Sequence, residues 1–276
     1  MAAAVIGLHV LGNGVLVAAW RDVVAIAGPR LSFVVAARSW SVSQIARFTT
    51  PAAQVGARMA LARQHGVPLT IGAVSTLVEI TWMFAFDPLL ALATLPSWVA
   101  VAPELRWLSI ASIVPAVAIM ATIVAPDRTL ALVRRALLLP GIRRVGARVA
   151  DKAVDLHVPR VRSARLLAMY AVNTAIRLGG FVLVVAGLTG GHGVGARAVG
   201  AYALGQIVGR LAIFAPGGVG PREGVTALVL AAGVGAAPAL AVVTVTRVLE
   251  FAAEVVVLGG SLVAYGRTGG PSAMPD

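Results

Sequence analysis

The feature that most constrains this chain is its series of long apolar runs: Ala2 to Trp20, Val67 to Leu95, Trp107 to Ala125, Leu166 to Leu188, Val199 to Ala215 and Ala236 to Tyr265. A helix of about 20 residues crosses a hydrocarbon core of about 30 Å, so runs of this kind are sized for a bilayer. Overall 59% of the residues are hydrophobic, 12% are charged and the mean hydropathy is +0.90, which leaves too little polar surface for a soluble fold. The first run has no positive charge before it, unlike a signal peptide, and its helix is expected to continue to Ala27. An outward-facing N-terminus also fits a chain that lacks a first span. The expectation is an all-α, polytopic membrane helical bundle of about six to seven membrane segments. Residues 1–266 would form a single integral membrane domain, and 267–276 a short polar tail.

The net charge of +12 sits mostly between the apolar runs, which argues for topology and against nucleic acid. All but one of the basic residues are arginine. They gather in Asp127 to Arg165 and in Gly28 to Gly66, and the second stretch has no acidic residue. The positive-inside rule places both in the cytoplasm, with Pro96 to Arg106 and Thr189 to Arg197 outside, as expected for the inner (cytoplasmic) membrane of a cell. Trp98 and Trp107 are expected as interfacial anchors. The chain has no cysteine, and His9, His65, His157 and His192 belong to no ligand motif, so they are expected to be solvated or interfacial. No metal or other cofactor is expected.

Two segments interrupt the apolar pattern in related ways. Phe48, Pro51 and Val55-Gly56-Ala57-Arg58 parallel Phe214, Pro216 and Val219-Gly220-Pro221-Arg222. Such a weak repeat is expected where two halves of a transporter each contribute a Pro/Gly-broken helix. Val199 to Ala215 is only about 17 residues long. If it turns back at its break the two copies are inverted and re-entrant; if it crosses fully they face the same side.

Charges within apolar runs mark pathways, binding sites or buried pairs. Arg177, Arg210, Arg222 and Arg247 are the cationic candidates. Arg247, Glu250 and Glu254 share a helical face and are expected to pair among themselves. Glu79 needs a basic partner from elsewhere, with Arg58, Arg177 and Arg222 as candidates. Around Pro216, Gly217, Gly218 and Gly220, freed backbone N–H groups followed by Arg222-Glu223 offer an anion site suited to phosphate. The expected ligands are membrane lipids with anionic or phosphate-bearing headgroups.

The run Phe214 to Gly224, FAPGGVGPREG, with Arg247 on the following helix, closely resembles the C-terminal signature of the flippase-like lysylphosphatidylglycerol synthase transmembrane family. Ser43 to Val67 is similar to that family's upstream motif, with Thr49-Thr50-Pro51-Ala52 where relatives usually carry a Pro-Gly pair. The resemblance runs from about Trp20 to Tyr265. It implies a multi-span fold with broken helices that moves a lipid or polyprenyl-linked headgroup between leaflets, here as the membrane part alone, without an aminoacyl-transferase domain. The alternatives are a membrane-embedded transferase acting on a lipid-linked donor, or a non-catalytic cell-envelope partner. With no D-x-D pair and no histidine cluster, a transferase would depend on Glu79, Asp87, Glu223, Glu250 or Glu254.

Overall fold

In the computed structural model, which describes residues 1–83, 85–124, 160–212 and 215–267, all regular elements are helical. The basic segment 127–159, Phe214 of the second motif and the tail after Arg267 lie outside the described residues. The helices are α1 (Ala2–Ala27), α2 (Phe33–Ala46), α3 (Pro51–Arg63), α4 (Leu69–Met83), α5 (Phe86–Ala93), α6 (Leu95–Trp98) and α7 (Leu105–Val124). They continue as α8 (Arg160–Thr189), α9 (Ala196–Leu211), α10 (Pro221–Val234) and α11 (Ala236–Arg267). Ala2–Ala27 and Arg162–Thr189 have both the length and the hydropathy of a membrane span.

α1 and α8 lie antiparallel, with Asp22 of α1 paired to Arg165 of α8 at 3.3 Å and Met1 against Gly187 at the other end. Gly12 and Gly180 let them approach: a Cβ on Gly12 would lie 3.1 Å from Asn173 Oδ1, and one on Gly180 3.1 Å from His9 Nε2. These two helices run through both of the molecule's apolar cores. One core gathers Leu16, Trp20 and Val24 of α1 with Trp40 of α2, Ala62 of α3 and Tyr170 of α8. The other gathers Val5, Trp98 and Phe181 with the buried faces of α9, α10 and α11.

The stretch Gly28 to Gly66, expected to hold a Pro-containing helix break, is a helix–break–helix unit packed into the first core. Ser32 and Thr50 cap its two helices by accepting from Val35 N and Ala53 N, and Pro51 supplies the fixed φ of a helix start. The run Val67 to Leu95, expected as one span, is broken between α4 and α5. Pro88 cannot donate to the carbonyl four residues back, which disfavours a continuous helix there. Trp98, expected as an interfacial anchor, is fully buried and donates from Nε1 to Ala91 O at 3.0 Å. Trp107 is 63% exposed.

Polarity is inverted relative to a soluble protein. Arg58, Glu79 and Asp87 are at most 1% exposed, whereas Val114 is 73% exposed. Charges inside and apolar residues outside suit a hydrocarbon solvent. Glu79 finds its partner in Arg58: Nη1 donates to Oε2 at 2.5 Å, while Trp40 Nε1 donates to Oε1 at 2.9 Å and Arg58 Nε donates to Ser43 Oγ at 2.9 Å. The guanidinium also lies 5.4 Å from the Trp20 ring and 5.9 Å from that of Trp40.

Removing one partner of a sealed ion pair strands the other charge, at a cost of about 3–5 kcal/mol. Arg58→Met is therefore expected to destabilise the protein by that amount, and the double variant Arg58→Met/Glu79→Leu to recover most of it. Reversible unfolding in mixed micelles checks this; equal stability of the single and double variants would contradict it.

Candidate anion site

The second break begins where α9 ends at Leu211 and closes where α10 starts at Pro221. Gly217, Gly218 and Gly220 carry φ of 62°, 71° and 96°, a region that L side chains rarely adopt. At Gly218 a Cβ would also stand 2.8 Å from Gly209 O. Gly209 is itself required on packing grounds, because a Cβ there would meet Arg222 Cβ at 2.8 Å. With Gly205 one turn earlier, against Thr226, it forms a small-residue groove that receives the first turns of α10.

The two copies of the Val-Gly-x-Arg motif fold differently. Val55 and Gly56 are helical and place Arg58 well inside α3, whereas Val219 and Gly220 belong to the break and place Arg222 in the first turn of α10. Pro221 at the helix start and the positive-φ glycines stop the helix where Ala52, Ala53 and Gln54 allow one to form. The two breaks nevertheless meet. A Cβ on Gly217 would lie 3.0 Å from the Phe48 ring, and the Arg247 guanidinium lies 5.5 Å from that ring's centroid.

The freed amides of the break and the Arg222 guanidinium do not converge on one point. Glu223 folds back so that Oε2 accepts from Gly220 N at 2.8 Å, and Gly218 N donates to Ala215 O at 2.8 Å. The helix N-terminus is thus occupied by the protein's own carboxylate. Arg222 turns instead to α11, donating from Nη2 to Glu250 Oε1 at 2.6 Å. Arg247 donates from Nη1 to Glu250 Oε2 at 3.4 Å and from Nη2 to Gly217 O at 2.9 Å, and its Nε lies 3.5 Å from Glu223 Oε1. Glu254 does not join the trio of α11; it accepts from Arg47 Nη2 at 2.5 Å, tying α11 to the first break.

Arg222, Glu223 and Arg247 line a cleft with Thr226, Thr246, Val243 and the tilted ring pair Phe181–Tyr202. Its open volume of about 20 Å³ suits a water molecule. The buried hydroxyl of Thr246 has no partner among the described residues. Arg177 precedes Phe181 of the cleft lining by four residues, about one turn, on the same face of α8. Its guanidinium meets amides: Nη2 donates to Asn13 Oδ1 at 2.7 Å and Nε to Asn173 Oδ1 at 3.2 Å.

Of the residues expected at a site, the structure brings Arg222, Glu223 and Arg247 together beneath Gly217, with Arg177 alongside. It does not bring Arg58 and Glu79, which are sealed in the first core, or Arg210, which pairs with Asp87 of α5. Pro216 opens the helical turn Pro216–Gly218, and Gly218 and Gly220 shape the break without touching the cleft. All five carboxylates considered for catalysis are engaged by arginine. Sequence reasoning missed Arg47, Tyr202, Phe181, Asn13 and Asn173. Asparagine inside an apolar helix was the available signal for the last two. His9, expected to be solvated or interfacial, is 1% exposed.

A family model described as the lysylphosphatidylglycerol synthase TM region matches residues 1–259. The chain belongs to that family. Membership makes it a membrane protein related to lipid modification or transport. No curated protein and no solved structure shows a match. The match extends over both breaks, the cleft and most of α11.

The groove makes a testable demand. Gly209→Ala is expected to push α10 off α9 and cost about 1–3 kcal/mol, as overpacking does. Gly224→Ala, where a Cβ meets nothing within 4 Å, is expected to leave stability unchanged or slightly raised. Thermal unfolding in one detergent compares them, and equal midpoints would refute the close packing.

Proposed function

We propose that this protein moves an anionic, phosphate-bearing lipid headgroup between leaflets, as a multi-pass protein of the cytoplasmic membrane with the cleft between α8, α10 and α11 as its headgroup site. The observation that carries the reading is a charge imbalance. Among the described residues, Arg47, Arg222 and Arg247 are matched by Glu223, Glu250 and Glu254, while Arg177 has no carboxylate within salt-bridge distance. A cation left uncompensated in a low-dielectric interior is costly, and an arriving anion removes that cost. Arginine suits phosphate because its planar fork can offer two parallel donors.

The cleft is too small for a headgroup while Arg222 and Arg247 both hold Glu250. Entry requires at least one of them to exchange carboxylate for phosphate, which separates α10 from α11. Because Arg47–Glu254 ties α11 to the first break, such a movement is transmitted to the other half. This is the kind of rocking expected of a two-halved transporter.

Headgroup transport in liposomes at matched protein incorporation tests the site. Arg222→Lys keeps the charge but loses the fork, and Arg177→Gln removes the unmatched cation. Each is expected to lower transport about tenfold or more, one lost charge-assisted contact being roughly 1.5–3 kcal/mol. Arg63→Ala, exposed at the end of α3, is expected to transport normally. Unchanged transport by both site variants would remove the basis of the proposal.

The multi-pass arrangement has its own test in this cysteine-free chain. Ala164 and Val194 are exposed near opposite ends of α8. Val194→Cys is expected to react with an impermeant thiol reagent in intact cells, and Ala164→Cys only after permeabilisation. The reverse pattern would invert the orientation, and labelling of both in intact cells would exclude a crossing by α8.

A further inference from the structure

His9 lies on the α1 face that packs against α8, four residues before Asn13 on the same side of the helix. Both of its ring nitrogens are buried, and neither has a hydrogen-bond partner among the described residues. A buried polar group left unpaired costs about 1–3 kcal/mol, which an apolar residue of similar size would avoid. The ring is accommodated only because α8 presents Gly180 there, where a Cβ would stand 3.1 Å from Nε2. An unsatisfied imidazole and the glycine that admits it therefore coincide one residue from Phe181, which lines the anion cleft.

The charged groups whose fields reach His9 come from three helices: Arg177 of α8, Arg222 of α10 and Glu250 of α11. α2 and α4 pack lower on α1, around Trp20, where Ser75 accepts from the indole; Arg58 and Glu79 close on each other there, and Arg47 closes on Glu254. Arg177 and Arg222 repel a proton on His9, and Glu250 attracts one. In the closed arrangement Glu250 is engaged by Arg222 and Arg247.

We propose that His9 is a proton-binding site linked to anion occupancy of the cleft, so that the protein takes up a proton as it binds a phosphodiester headgroup. The inference rests on the headgroup reading above. A bound phosphate neutralises Arg177 and draws Arg222 or Arg247 away from Glu250. Both changes favour a cation at His9. A proton from water adds to the lone pair of one ring nitrogen, and no other covalent bond changes. The imidazolium then stabilises the carboxylate that the arginines released. By linkage the effect is reciprocal: lower pH tightens anion binding by the same factor by which the anion favours the proton. Loading the site with an anion and a proton together leaves its total charge unchanged.

Titration calorimetry of the purified full chain with dihexanoyl phosphatidylglycerol, run in two buffers of different ionisation heat, counts protons taken up per lipid bound. This lipid's phosphodiester stays monoanionic between pH 6 and pH 8, so its own titration does not intrude. Wild-type protein is expected to take up about half a proton on average between pH 6 and pH 8 and so to bind about tenfold more tightly at pH 6 than at pH 8, within the usual range for coupled sites. His9→Gln, checked for folding by size exclusion, is expected to bind with no proton uptake and little pH dependence. His65 beside Tyr265 and His192 on the turn after α8 lie outside the cleft lining and remain in that variant. Lipid binding by wild type without proton uptake would overturn the proposal alone, as would undiminished uptake by His9→Gln. The wild-type measurement decides the matter even if the variant fails to fold. Absence of binding at both pH values would instead remove the headgroup reading, and the proton linkage with it.

Discussion

Ionised side chains in a hydrocarbon solvent must find each other, and the arrangement of this molecule follows from that requirement. Arg58–Glu79 joins α3 to α4, Arg210–Asp87 joins α9 to α5, Arg222–Glu250 joins α10 to α11, and Arg47–Glu254 joins the first break to α11. Apolar packing between helices is a weak organiser in lipid, because lipid tails are equally apolar. The ion pairs are directional and specify which helices become neighbours. Glycines bring other neighbours close: Gly12 and Gly180 at the contact of α1 with α8, Gly205 and Gly209 at that of α9 with α10.

The two halves use the same device for different ends. In each, an arginine after the break reaches a glutamate on the next helix. Around Arg58 the pair is walled by Trp20, Trp40 and Ser43 and is sealed from solvent. Around Arg222 the walls are Phe181, Tyr202 and two threonines, and the pair borders a cleft. The first pair has a second partner for each group and no room for exchange. In the second, Glu250 is shared by two arginines, and one can leave while the other stays. A fixed half and an adjustable half, coupled through α11, suit the transport reading better than two equivalent sites would.

Much of the helical layout was legible in the apolar runs, because span length follows directly from bilayer thickness. Ala2–Ala27, Arg160–Thr189 and Ala236–Arg267 closely match the first, fourth and last expected segments. Less legible was any feature decided by which side of a helix faces protein. Hydropathy gave no warning that Gly28 to Gly66 folds inward, since two of its arginines, Arg58 and Arg47, are neutralised by Glu79 and by Glu254 of α11. Trp98 and His9 misled for the same reason: composition marks them as interfacial residues, while their neighbours bury them.

By itself, then, the sequence determined that the chain is helical, that it belongs in a membrane, that helices break at the two Pro-containing motifs, and that arginines sit inside apolar segments. Those properties depend on local chemistry: chain length against bilayer thickness, the missing N–H of proline and the φ freedom of glycine. Only the tertiary structure decided which arginine meets which carboxylate. It therefore also decided that Arg58 is sealed, that Arg222 and Arg247 share Glu250, and that Arg177 is left with amides. A pairing between groups far apart in sequence depends on the relative placement of whole helices, and no residue type or spacing within one helix encodes it.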